Sequence, residues 1–137
     1  MTLPLQLDKR HITQAKHNES LLSESCFPNP CSQTNLNYKD WTVTIVFYVA
    51  LHYLEAYLHQ HNFRTSFISH TDRNDYLKRI ASLSDRKIAR VLDKYLALYK
   101  LSKYTRYTAC SYHYLGISDL CDCFTFALKE LPQTLGL

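Results

Sequence analysis

The sequence predicts an all-α protein, a compact, mostly antiparallel bundle of four main helices plus a short one, and three observations carry that prediction. Only two glycines and four prolines stand among 137 residues, which leaves little material for hairpin turns. The stretch DWTVTIVFYVALHYLEAYLHQHN, Asp40 to Asn62, is apolar on almost every side from Trp41 to Leu58, the mark of a helix enclosed by other helices. Ile88, Val91, Leu92, Tyr95, Leu98, Tyr99 and Ser102 then keep a helical period along a second long segment. The length suits a single domain over residues 1–137 with a core that needs no disulfide or metal staple. No internal repeat or low-complexity tract interrupts it.

Taken in order, Leu5 to about Ser25 reads as a first, modestly amphipathic helix, with Leu7, Ile12, Ala15, Leu21 and Leu22 available for a packed side. Pro28 and Pro30 make Cys26 to Asn37 a surface loop, and Asp40 is the expected N-cap of the central helix. Ser69 with Asp72, or Thr71 with Asn74, can cap a short third helix that turns Tyr76, Leu77 and Ile80 inward. Ser84 opens the long fourth helix, whose Arg86, Lys87, Arg90 and Lys94 read as a solvated face, with a phosphate-tracking stripe as the alternative. Ser118 and Asp119 start a last helix with Leu120, Phe124, Ala127, Leu128 and Leu131 on one side, and Pro132 is expected to stop it.

A formal charge of +4 and a pI near 8.8 mildly favour acidic partners such as nucleic acid. Five cysteines in no regular framework point to reduced thiols and a cytoplasmic setting. The opening MTLPLQLDKRHITQ lacks the basic segment and apolar core of a secretory leader. No membrane association is expected of the central helix, which carries His52 and Glu55. Eleven tyrosines exceed what a core of this size uses, so some belong at an interface or on a ligand surface.

The apolar cover of the central helix has one seam. Thr44, Tyr48, His52, Glu55 and His59 recur at spacings of four, four, three and four, one narrow stripe at helical pitch. Asp40, Tyr48, His52 and Glu55 are therefore expected in a structural polar network, because an unpartnered buried polar group costs about 1–3 kcal/mol. Arg106 falls on the packing side of the fourth helix, with Ile88, Tyr95, Tyr99 and Ser102. An inward guanidinium needs a carboxylate, carbonyls or a bound anion, and Glu55 and Asp40 are the two acids on offer.

Beyond Arg106, with six residues between them, stands His113, in the run Arg-Tyr-Thr-Ala-Cys-Ser-Tyr-His. Here the chain resembles the HEPN superfamily of small helical proteins, many of them RNases with an arginine, four to six residues and a histidine. HITQAKHNESLL, DWTVTIVFYVALHYLEAYL, SHTDRNDYL and YLALYKLSKYTRY look like successive blocks of bacterial HEPN-like proteins, over residues 11–113. The position after the arginine is Tyr107, where catalytic members commonly carry Asn, Asp or His. The tyrosine that some HEPN toxins carry two places after the histidine is Leu115 here, with Tyr114 one residue early, so that inhibitory nucleotidylation is not carried over.

The resemblance implies a homodimer that brings two Arg/His sets into one cleft, and a metal-independent endoribonuclease or RNA-binding role without a cofactor. It also implies a defence or toxin–antitoxin setting, with a nucleotidyltransferase-type antitoxin as partner. His113 would serve as general base or acid and Arg106 as phosphate clamp. Tyr107, Tyr112 and Tyr114 with Lys103 would bind RNA by stacking and charge, Tyr104 standing with them, and dimer packing is the equal alternative for the tyrosines. The alternative is a non-catalytic homodimeric scaffold in which Arg106 belongs to a structural ion pair. No metal is expected at either of the two His/Cys/Glu groupings the sequence offers. His52, Glu55 and His59 share a stripe, yet the two histidines are about 10 Å apart by helical rise. Cys110, His113, Cys121 and Cys123 lack a Cys-x-x-Cys knuckle.

Overall fold

The computed structural model describes residues 3–24, 27–33 and 36–137. It is all-α: among the described residues the only extended pairing is an isolated bridge between Glu24 and Phe27. The helices are α1 (Leu3–Leu21), α2 (Lys39–Gln60), α3 (His70–Leu83), α4 (Arg86–Tyr107), α5 (Ile117–Thr125) and α6 (Leu131–Leu135). A π-helical turn, Phe126–Glu130, joins the last two into one continuous helical run.

α2 is the centre. Val43, Val46, Phe47, Val49, Ala50, Leu54 and Leu58 are almost wholly buried, packed by α1, α4 and the C-terminal run, while α3 leans on α4. By length and composition α2 could cross a membrane, but 72% of its most apolar window is buried against the other helices, as in a core helix. Tyr57 near its end bonds Asp85 at the start of α4, and Tyr48, earlier in α2, lies under Arg106 at the end of α4, so the two run antiparallel. Around Phe47 the rings of Tyr48, His70, Tyr95 and Tyr99 gather at 5.2–5.9 Å, the densest aromatic packing of the core.

Several boundaries differ from the sequence-based expectation for local reasons. α1 ends at Leu21, which is exposed; Ala15 and Leu22 are buried, and Ser25 and the side chain of Leu7 lie outside what is described. α2 starts before Asp40, which sits in the first turn, where a carboxylate still suits the helix dipole. Ser69 caps α3 by accepting from the Asp72 amide at 3.0 Å, as its spacing predicts. Ser84, by contrast, closes α3, and Asp85 caps α4 by accepting from the Ile88 amide at 2.8 Å.

Pro132 does not stop the last helix. The wide π turn before it changes the hydrogen-bond register, so the missing N–H and the ring are accommodated and the helix runs on to Leu135. Gly136 ends it at φ 74°, with the Leu137 amide reaching back to the Pro132 carbonyl at 2.9 Å.

The expectation of reduced thiols is overturned for one pair: Cys31 and Cys121 form a disulfide. A 3-10 turn, Pro30–Ser32, capped by the Asn29 side chain, packs on α5 and brings the two Cα atoms to 4.6 Å, a bridging distance. Ninety positions of sequence separate these residues, so only the folded loop reveals the pairing.

Candidate functional site

Two neighbourhoods draw the candidate residues together. The first is the end of the bundle where α2 begins and α4 finishes. α4 runs unbroken to Tyr107, which keeps Arg106 on the packing side, half-buried. Its Nε donates to the Ser102 carbonyl at 3.1 Å, and its guanidinium carbon lies 6.0 Å from the Tyr48 ring centre and 5.4 Å from that of Tyr107. Among the described residues no carboxylate pairs with it. Neither acid offered by the sequence is its partner: Glu55 is held by Arg73 at 2.8 Å and by His11 at 3.3 Å, and Asp40 forms no ion pair among the described residues. Among the described residues the cation is satisfied only by its own helix and two aromatic faces.

Beyond α4, Cys110 takes a left-handed conformation at φ 61°, turning the chain into a short 3-10 segment, Ser111–Tyr114. Ser111 Oγ donates to the Tyr104 carbonyl at 3.2 Å and Lys39 Nζ to the Leu115 carbonyl at 2.9 Å, which pins this segment to both long helices. His113 is exposed, its ring against Tyr112 at 4.4 Å, and no hydrogen bond or ring contact joins it to Arg106 within the chain. Around them Tyr107 and Tyr114 are 76% and 88% exposed, Trp41 and Tyr104 about half, and Lys103 is exposed as well. The expected RNA-binding side chains thus share one end of the molecule; Tyr112 is half-buried.

The second neighbourhood is the seam of α2. Tyr48, His52, Glu55 and His59 are half-buried as a line, but the line continues toward Ile45 and Trp41 rather than Thr44. Thr44 is buried and donates to the Asp40 carbonyl at 2.8 Å. Into the seam comes a residue the sequence did not single out. His11 of α1 inserts between His52 and His59, its ring 5.2 and 5.1 Å from theirs. His11 Nδ1 lies 2.9 Å from His52 Nδ1, and His11 Nε2 lies 3.3 Å from Glu55 Oε2. Neutral rings satisfy both contacts if His52 donates from Nδ1 and His11 donates from Nε2.

Arg73 of α3 completes the network, donating to Glu55 Oε1 at 2.8 Å and to His70 Nδ1 at 3.0 Å. Since arginine has no acceptor, His70 must accept at Nδ1 and is therefore neutral there. Burial, chiefly, lowers the pKa of His52 below its ordinary value, with Glu55 opposing. His70 is lowered by burial and then by the nearby Arg73 and Arg106 cations.

Cys110, His113, Cys121 and Cys123 do not converge: Cys121 is in the disulfide, Cys110 is exposed, and burial pushes the Cys123 thiol up to about 11. Of the missed residues, His11, His70 and Arg73, only His11 had a faint signal of its own, though none of the network it joins. His11, Ala15, Asn18 and Leu22 follow helical spacing, so a histidine shares the packed stripe of α1. Compared with known proteins, the chain matches no protein-family model, no curated protein and no solved structure.

Proposed function

We propose that the protein is a HEPN-like homodimer that binds single-stranded RNA at the α2–α4 end, with Arg106 on a phosphate and Tyr107 and Tyr114 under the bases. The observation that carries this is the guanidinium of Arg106, half-buried and without an acid partner among the described residues. Such a cation gains most from an anion arriving from outside, and phosphate fits its planar donor set. The exposed tyrosines beside it and Lys103 are the stacking and tracking elements that unpaired RNA takes up.

In this reading His113 of one subunit and Arg106 of the other meet across the two-fold axis. The imidazole takes the proton of the 2′-hydroxyl as it attacks phosphorus, the P–O5′ bond breaks to leave a 2′,3′-cyclic phosphate and a 5′-oxygen that takes a proton from water, and the guanidinium neutralises the growing phosphoryl charge. No metal enters that chemistry. A second reading, a non-catalytic RNA-binding module, is favoured by the absence of any contact between His113 and Arg106 within one chain.

The test is single-stranded RNA incubated in EDTA with wild type, Arg106→Ala and His113→Ala, scoring binding and cleavage. Arg106→Ala is expected to weaken binding about tenfold and to lower the salt dependence by about one phosphate contact. Cleavage lost in both variants supports the endoribonuclease. Binding without cleavage leaves the module, and a wild type that binds no RNA ends both readings.

A further inference from the structure

We propose that His11, His52 and Glu55 form a binding site for one divalent first-row transition-metal ion, of the zinc type, that clamps α1 to α2. One ligand atom from each of these three residues lies within 4.8 Å of the others. His52 and Glu55 stand three apart on α2 and face the same way, and His11 arrives from a different helix, so the set is convergent rather than strung along one strand of chain. That removes the objection raised by the sequence, where His52 and His59 were too far apart to share an ion. The third donor beside His52 and Glu55 is not His59 but His11, the imidazole lodged between the two histidines.

The distances suit the ion. Zinc bonds of about 2.0–2.2 Å set tetrahedral ligands about 3.4 Å apart. His11 can give an ion only one of its two nitrogens, Nδ1 at 2.9 Å from His52 Nδ1 or Nε2 at 3.3 Å from Glu55 Oε2; with one ligand atom from each residue the three lie within 4.8 Å, a set that ring rotations must draw together. Arg73 holds Glu55 Oε1 at 2.8 Å and leaves Oε2 toward the histidines, the way outer partners orient a ligating carboxylate. It also places the guanidinium on the far oxygen, with the carboxylate between the two cations. The His11 and Glu55 side chains are 22% and 14% exposed, which gives the ion a way in and a water its fourth position. Two imidazoles and one carboxylate favour zinc, cobalt or nickel over magnesium or calcium, which take oxygen donors.

The experiment uses the full chain without a histidine tag, in a Cys110→Ser background so that the exposed thiol takes no metal. After EDTA treatment and exchange into metal-free buffer, zinc and cobalt are titrated by calorimetry, cobalt also by its visible spectrum, and thermal unfolding is followed. The expected result is one ion per chain, a Tm raised by roughly 8 °C at a hundredfold excess over Kd, and no shift with magnesium. Glu55→Gln and His52→Ala should lose both the binding and the shift. His17→Ala, exposed on the same helix as His11, should keep them. A wild type that takes up no ion, or variants that bind as tightly as wild type, overturns the proposal. Should His52→Ala fail to fold, the wild-type titration and the near-isosteric Glu55→Gln still decide it. Arg106→Ala should bind zinc normally, which separates this site from the RNA-binding end.

Discussion

Tyr95 carries a phenolic hydroxyl into the middle of the core, fully buried and without a hydrogen-bond partner among the described residues. Its ring packs against Phe47, so the aromatic body is what the fold uses. Tyr95→Phe should therefore leave stability unchanged or raise it by about 1 kcal/mol, because an unpaired buried hydroxyl costs about that much or more. Urea unfolding measures it, and a loss of more than that would reveal a hidden partner. His70 carries a second expectation. It is faced by Arg73 on its own helix, by Arg106 on α4 and by Glu55 on α2, and its pKa in the fold lies below the ordinary 6.5. The unfolded chain then binds the proton more readily, so stability is full above 6.5 and falls as pH drops below it. A Tm series in EDTA from pH 7.5 to 5.5 should slope downward, and His70→Gln should flatten it in part, His52 keeping the rest. At this scale Arg106 was legible because its helical phase alone sets its direction. His11, His70 and Arg73 were not, since a network built from three helices leaves no single periodic trace.

Asp85 does two jobs for the start of α4: Oδ1 caps the Ile88 amide, and Oδ2 accepts from the Tyr57 hydroxyl at 2.7 Å. Removing it by Asp85→Ala should cost about 2–3 kcal/mol, a lost cap plus an orphaned phenol, whereas Tyr57→Phe should cost only about 1 kcal/mol. Chemical denaturation of the two variants separates the contributions. The existence of each helix followed from periodic apolar residues, and the ends were harder. Ser84 and Asp85 are both acceptable caps in sequence, and only the side chain that reaches an amide settles which acts. The π turn at Phe126–Glu130 lay beyond the reach of pattern reading, because one wide turn changes the meaning of Pro132 without changing the spacing of Leu131 and Leu135.

Across the whole molecule, the scarcity of glycine and proline and the all-round apolar α2 were enough for the helical bundle, since both express how backbone and core must be satisfied. The disulfide was not, because the residues that approach in space lie 90 positions apart. Its reduction, or Cys31→Ser, should lower the Tm by about 10 °C, the effect of freeing a long loop in the unfolded chain. Thermal scans with and without a thiol reductant test this.

The same bond gives the molecule an unequal topology. Everything from Cys31 to Cys121 is closed into a covalent hoop that holds α2, α3 and α4, and α1 lies outside it. That helix is an arm joined to the hoop at one end. Packing and the His11 contacts alone keep it on α2: were it lifted away, every covalent link would stay intact, His11 would leave with it and the α2 seam would face solvent.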